Sequence, residues 1–331
     1  MKKTSLGCLG IALVVVLGVS LLFNLILLMA SAGSGLASTP SIQYFEKKYI
    51  SGSGSDEIAV VPLYGMIAYG VPGDVMASMV DDTLAKLRQA REDRNVKAII
   101  LRIDSPGGEV TASDVIYNEV VKTDQVKPVL VYMDSVAASG GYYVAVGARH
   151  LMANELTITG SIGVIIQTLN FEELTEKVGV EVLTIKSGKM KDILNPFREA
   201  RPEEVEFVQD MIDDTYDKFL GIVADERGLE SEQLRESVAD GRIVSGKTAL
   251  DVGLIDSTGY FEDVVDVALD LVGLDDARLV AIEPPFSLGR LFRIFGATTE
   301  AKHDVNIRIG PQSLDLEAGK FYYISPHVFG N

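Results

Sequence analysis

Ser139 stands in the run Val136-Ala137-Ala138-Ser139-Gly140-Gly141-Tyr142-Tyr143, among residues small enough to let another backbone approach. At a sharp strand-to-helix turn a serine holds its hydroxyl outward while backbone N–H groups of the next turn converge beside it. Such an arrangement suits a nucleophile. A second turn of small residues, Asp104-Ser105-Pro106-Gly107-Gly108, ends another apolar run. Two glycines after a proline can aim N–H groups at one point, and one such donor contributes roughly 2.7–4 kcal/mol to an oxyanion-like transition state. Taken singly, each segment is also an ordinary connection between a strand and a helix.

A serine nucleophile needs a base. The three histidines, His150, His303 and His327, are scattered without ligand spacing, and each reads as a surface or packing residue. Lysine can serve instead where burial favours its neutral form, taking the serine proton and later returning it to the leaving amine. Lys186, Lys189 and Lys191 cluster in Ile185-Lys186-Ser187-Gly188-Lys189-Met190-Lys191-Asp192-Ile193. The residues alone do not choose among them.

Strands and helices must alternate to hold these segments. Ile58–Leu63, Lys97–Ile103 and Pro128–Met133 read as buried strands, with another near Leu151 and one over Val180–Ile185. Helical spacing covers Val75–Arg91, Thr111–Lys122 and a stretch continuing from Tyr143. Pro202–Glu226 is the most legible helix, with Pro202 at its first position, acidic residues after it and Gly228 as its stop. This alternation predicts an α/β fold with a largely parallel sheet.

The first residues are different in kind. After Lys2 and Lys3 no charge appears before Glu46, and Leu6–Ala32 is almost wholly apolar. That exceeds the ~20 residues needed to cross a bilayer and the ~7–15 apolar residues of a cleavable signal. The expectation is a retained transmembrane helix over 6–32 behind a cytoplasmic tail of 1–5, although Ala30-Ser31-Ala32 resembles a cleavage site. A linker over 33–55, a folded domain over 56–275 outside the cytoplasm and a C-terminal tail over 276–331 follow. The net charge of −17 excludes nucleic acid as a partner. Cys8, the single cysteine, lies in the apolar run, so neither an intrachain disulfide nor a cysteine-based metal site is available.

The ordered set Asp104-Ser105-Pro106-Gly107-Gly108, Ala137-Ala138-Ser139-Gly140-Gly141-Tyr142, Thr159-Gly160-Ser161-Ile162-Gly163 and Ser187-Gly188-Lys189-Met190-Lys191-Asp192 resembles the signal peptide peptidase (protease IV) serine peptidases. Gly241-Arg242-Ile243-Val244-Ser245-Gly246 and Gly253-Leu254-Ile255-Asp256 extend the resemblance, which runs from about Ile58 to Val272. It implies the fold shared with crotonases and the Clp proteolytic subunit. It also implies a Ser–Lys dyad, with Ser139 as nucleophile, Lys191 as general base and Ser161 orienting the lysine. Gly107 or Gly108, with Gly140, would form the oxyanion hole. One copy of the motif set implies the short form of the family, assembled as a homo-oligomeric ring, in which serine and lysine can come from adjacent subunits. The implied substrates are apolar peptides such as cleaved signal peptides, with no metal or cofactor.

Three other readings compete. Gly241–Thr248 matches the phosphate-loop pattern G-x-x-x-x-G-K-[ST], but the residues before it are polar and helix-like where a buried strand is required. An acyl-CoA enzyme of the crotonase type would keep the fold and change the chemistry. A catalytically silent scaffold at the membrane would carry the dyad only as a vestige.

Overall fold

The structure is a computed structural model that describes residues 16–18, 20–21, 23–24, 45–70, 78–284 and 322–324. The chain divides into two units, Met1–Gln43 and Tyr44–Asn331. In the first, the described residues are helical. Among the described residues no helix is long and apolar enough to cross a membrane. The expected span over 6–32 lies mostly outside them, as do His303 and His327.

The second unit is built on one large sheet. Its strands are β1 (Glu46–Ser51), β2 (Glu57–Tyr64), β3 (Val96–Ser105), β5 (Val129–Ala138), β6 (His150–Ala153), β7 (Ile158–Gly160), β8 (Ile243–Ser245), β9 (Ser257–Thr258) and β10 (Arg278–Glu283). The order across it is β1-β10-β2-β3-β5-β6-β9, with β7 beside β5 and β8 beside β7. All pairs are parallel except β1 with β10 and β7 with β8. A separate pair joins β4 (Gly107–Glu109) to β11 (Tyr322–Ile324), antiparallel.

The central strands are buried on both faces, which is why they read as continuous apolar runs rather than alternations. Ile58, Val60, Ala98, Ile100, Leu130 and Tyr132 face α8 (Phe261–Val272), chiefly through Val264 and Ala268. The alternate residues, among them Val61, Ile99, Leu101 and Val131, face the other helices. Those are α1 (Met79–Glu92), α2 (Val110–Asp124), α3 (Gly140–Ala145) and α5 (Pro202–Arg227). The remaining helices are α4 (Glu172–Val178), α6 (Ser231–Ser237) and α7 (Gly246–Asp251).

Local chemistry sets the helix ends. Ser78 caps α1 by accepting the Asp81 N–H at 3.0 Å, and Asp81 and Asp82 in the first turn complement the helix dipole. α5 starts at Pro202 and ends on Gly228 in the left-handed conformation, φ 62°.

Three expectations differ from the structure. Val180–Ile185 is no strand: no neighbouring strand pairs with it, and Leu183 and Ile185 are 82% and 90% exposed. Glu46–Ser51, expected within a linker, is β1. Arg278–Glu283, expected within a tail, is β10 and lies between β1 and β2. Serine and glycine content suggested a tether at 33–55, whereas among the described residues of that stretch Gly52–Ser55 turns between two strands.

Candidate active site

β3 and β5 lie side by side and parallel, so the turns at their carboxyl ends are neighbours. In parallel sheets ligands bind at this end. Ser105 is opposite Ala137 across the pair, which sets the Gly107–Gly108 turn beside Ser139. Asp104 ties the two ends together by accepting the Val136 N–H through Oδ1 at 3.1 Å. Asp104 is thus a structural clamp within the motif.

Ser139 links β5 to α3 with φ 54° and ψ −116°, a conformation side-chain-bearing residues rarely adopt. Its N–H donates to the Gly160 carbonyl at 2.8 Å, and its carbonyl accepts the Tyr143 N–H at 2.8 Å. Both bonds hold the turn in place. Among the described residues its buried hydroxyl has no hydrogen-bond partner. A buried unmet hydroxyl costs about 1–3 kcal/mol, so it marks a group kept for chemistry or for an incoming partner.

The β5–β7 register sets Ala138 opposite Gly160, which brings Ser161 next to Ser139. Ser161 is also buried with positive φ, 53°, and its N–H donates to the Arg242 carbonyl at 2.8 Å. The role of Gly241–Gly246 is therefore to form the strand that holds Ser161. Ser245 caps α7, while the Gly246 and Lys247 N–H groups donate to the Thr157 and Glu155 carbonyls. Those N–H groups, which a phosphate loop would offer its ligand, are taken.

The two candidate oxyanion glycines are distinguishable. Gly107 donates its N–H to Ser105 Oγ at 3.2 Å and accepts the Ile67 N–H at 2.8 Å. Glu109 donates to the Ile67 carbonyl at 2.7 Å. Residues 107 and 109 therefore face Ile67, and Gly108 faces the opposite edge, where Tyr322–Ile324 runs antiparallel. α3 touches both β4 and β11 there. A Cβ on Gly108 would fall 1.9 Å from the Ile67 carbonyl oxygen, so only glycine fits.

The structure separates the three lysines. Lys186 is paired with Asp192, and Lys189 with Glu203 at 2.6 Å. Among the described residues Lys191 Nζ has no hydrogen bond or ion pair, and the side chain is exposed. No hydrogen bond joins Lys191 to Ser139 within one chain. His150 is excluded by position: it sits opposite Leu130, about 30 Å along β5 from Ser139 at ~3.3 Å per residue. It bonds Ser257 Oγ at 2.9 Å, and burial pushes its imidazole pKa down.

The sequence did not single out the groups around the lysine loop. Arg198 bridges Asp192 and Glu204, and its pKa is raised by hydrogen bonds to Glu204 and Asp192. Asp192 is held far below the usual carboxylate range, first by Arg198 and then by Lys186.

A Clp protease family model matches residues 65–172, in accord with the Clp-protease-like α/β fold just described. Residues 121–275 match the model of peptidase family S49. The putative protease slr0021 of Synechocystis sp. is 42% identical over 236 residues, 71% of this chain and 82% of that one. The putative signal peptide peptidase SppA of Enterococcus faecium is 39% identical over 60% of this chain and 57% of its own. The chloroplastic serine protease SPPA of Arabidopsis thaliana is 36% identical over 69% of this chain but only 35% of its own. The chain belongs to peptidase family S49, the signal peptide peptidase and protease IV family, and is a serine protease. That membership displaces the acyl-CoA reading.

Proposed function

We propose that this protease is an endopeptidase anchored in the cell membrane by its N-terminal segment, with its catalytic domain outside the cytoplasm, and that it degrades cleaved signal peptides and other apolar peptides. The observation that carries this reading is the Ser139 hydroxyl, buried and unpartnered on strained backbone beside the Gly107–Gly108 turn. Lys191, the lysine of its cluster whose amine is uncommitted, takes the Ser139 proton as Oγ bonds to the scissile carbonyl carbon. The oxyanion that forms is received by the Gly108 and Gly140 N–H groups. On collapse the C–N bond breaks, the lysine returns the proton to the leaving amine, and water then hydrolyses the acyl-enzyme. Ser161, adjacent to Ser139 through the β5–β7 register, orients the lysine.

An extended peptide laid along β4, as Tyr322–Ile324 is, supplies the backbone pairing that strand-adding substrates use. A buried serine and an exposed lysine in one chain favour a dyad completed between adjacent subunits of a homo-oligomeric ring. Val178, Val180, Leu183 and Ile185, exposed in the single chain, supply apolar surface for such contacts. Apolar peptides suit an enzyme tethered where they are left, and the apolar run at 6–32 is the proposed tether.

The test is hydrolysis of an apolar peptide by the full-length protein in detergent, comparing wild type with Ser139→Ala and Lys191→Ala, each sized by light scattering. Loss of turnover in both with the assembly intact is the expected result. Turnover retained in Lys191→Ala would remove the dyad, and a fully active monomer would remove the shared site.

A further inference from the structure

Between Ile162 and Glu204 no residue is buried, so the segment that carries Lys191 has no core of its own. Something else must fix a group whose position matters to fractions of an ångström. Arg198 does so with all of its donors. Nε donates to Asp192 Oδ2 at 2.9 Å and Nη2 to the Asp192 carbonyl at 2.7 Å. Nη1 and Nη2 donate to Glu204 Oε2 and Oε1 at 2.8 and 2.6 Å, and Nη1 also reaches the Glu199 carbonyl at 2.9 Å.

Both ends of this clamp are secured. Glu204 is fully buried in the first turn of α5, accepts the Arg201 N–H at 3.0 Å and pairs with the Arg201 side chain. Farther along, the same helix buries Phe219, Leu220 and Val223 in the main core. At the other end, Asp192 is gripped through both its side chain and its main chain. It directly follows Lys191, whose own N–H closes a turn onto the Gly188 carbonyl at 3.1 Å. Lys186 adds a second cation on Asp192. Rigidity therefore passes from the core through α5, Glu204, Arg198 and Asp192 to the lysine.

We propose that Arg198 is a positioning residue for the reaction, fixing the loop that presents Lys191 to Ser139. This rests on Lys191 being the base. A lysine at 198 keeps the charge but has three donors from one atom, and cannot bridge two carboxylates and two carbonyls in a plane.

The experiment compares full-length wild type, Arg198→Lys and Lys191→Ala for kcat, KM, unfolding midpoint and assembly size. Misplacing a reacting group by about 1 Å can cost on the order of 10²-fold. Arg198→Lys is therefore expected to lower kcat about 10- to 100-fold with KM within about twofold. Its assembly size should be unchanged, and its unfolding midpoint should fall only slightly, since lysine keeps a positive charge beside the buried Glu204. Unchanged kcat in Arg198→Lys, alongside an inactive Lys191→Ala, overturns the proposal and leaves the dyad standing. A loss carried by KM or by dissociation also overturns it, since the arginine would then be merely structural. An active Lys191→Ala overturns both readings together.

Discussion

Replacing Ser139 by alanine should make the protein more stable as it destroys activity. Two costs are concentrated at this residue. Among the described residues its hydroxyl is buried without a partner, which costs about 1–3 kcal/mol. Its φ of 54° costs a further 1–2 kcal/mol or so for any residue with a Cβ. Alanine removes only the first, so Ser139→Ala should gain about 1–3 kcal/mol. Glycine removes both but gives back about 0.5–1 kcal/mol in chain entropy, so Ser139→Gly should equal or slightly exceed alanine. For a domain of this size each kcal/mol moves the unfolding midpoint by about 2–4 °C, which predicts a rise of roughly 2–12 °C. The assay is thermal unfolding of full-length wild type and both variants at one scan rate, with peptide hydrolysis measured in parallel. A midpoint below wild type in Ser139→Ala would mean that the hydroxyl is satisfied in the assembled protein, and the reasoning from an orphaned group would fail. A glycine variant clearly less stable than alanine would refute the claim of backbone strain.

Gly108→Ala sets a methyl against the Ile67 carbonyl, displaces a proposed oxyanion donor and should lower kcat by about 10²–10³-fold, read by steady-state hydrolysis. Arg198 chiefly holds the Glu204 carboxyl down to about 2 from an ordinary 4.5. A carboxylate depressed on folding lends its stability above the unfolded value and loses it as pH falls through the folded one. Hydrogen exchange over residues 186–200, corrected for its intrinsic pH dependence, should therefore accelerate between about pH 4.5 and 2, and Glu204→Gln should flatten that response. Removing the Asp104 clamp with Asp104→Ala frees the Val136 N–H and should cost about 1–2 kcal/mol, measured as a lower unfolding midpoint.

Much of the core and the serine turn was legible because each rests on local signals. Buried parallel strands are uninterrupted apolar runs, and the turns after β3 and β5 announce themselves by small residues. What escaped depends on partners distant in sequence. β1 and β10 are short and ordinary alone, and become strands by pairing across more than two hundred residues. Val180–Ile185 has the composition of a strand, but composition cannot supply a neighbour. That Ser105 Oγ and Ile67 engage Gly107 could not be read from the glycine pair itself, and nothing in the spacing of Asp192, Arg198 and Glu204 announced a clamp. Among the three lysines, residue type and spacing alone gave no order, and their ion pairs could be seen only in the structure.

β1 also determines where the protein can be cut. It lies on the outside of the sheet, with Lys47 and Lys48 on a strand whose residues are all exposed, and charged side chains there discourage another chain from adding on. Behind it, β10 carries the buried side chains of Leu279, Val280 and Ile282. Phe45, just before β1, is buried, and its N–H and carbonyl bond the Gln89 side-chain amide at 2.9 and 2.8 Å. A fragment started in the Gly52–Ser55 turn would discard this guard and offer β10 as an adhesive ribbon to any passing strand. A fragment started at Tyr44 keeps the latch and the charged border. Solubility of a truncated enzyme therefore hinges on the stretch of about ten residues that its serine and glycine content would have marked as expendable.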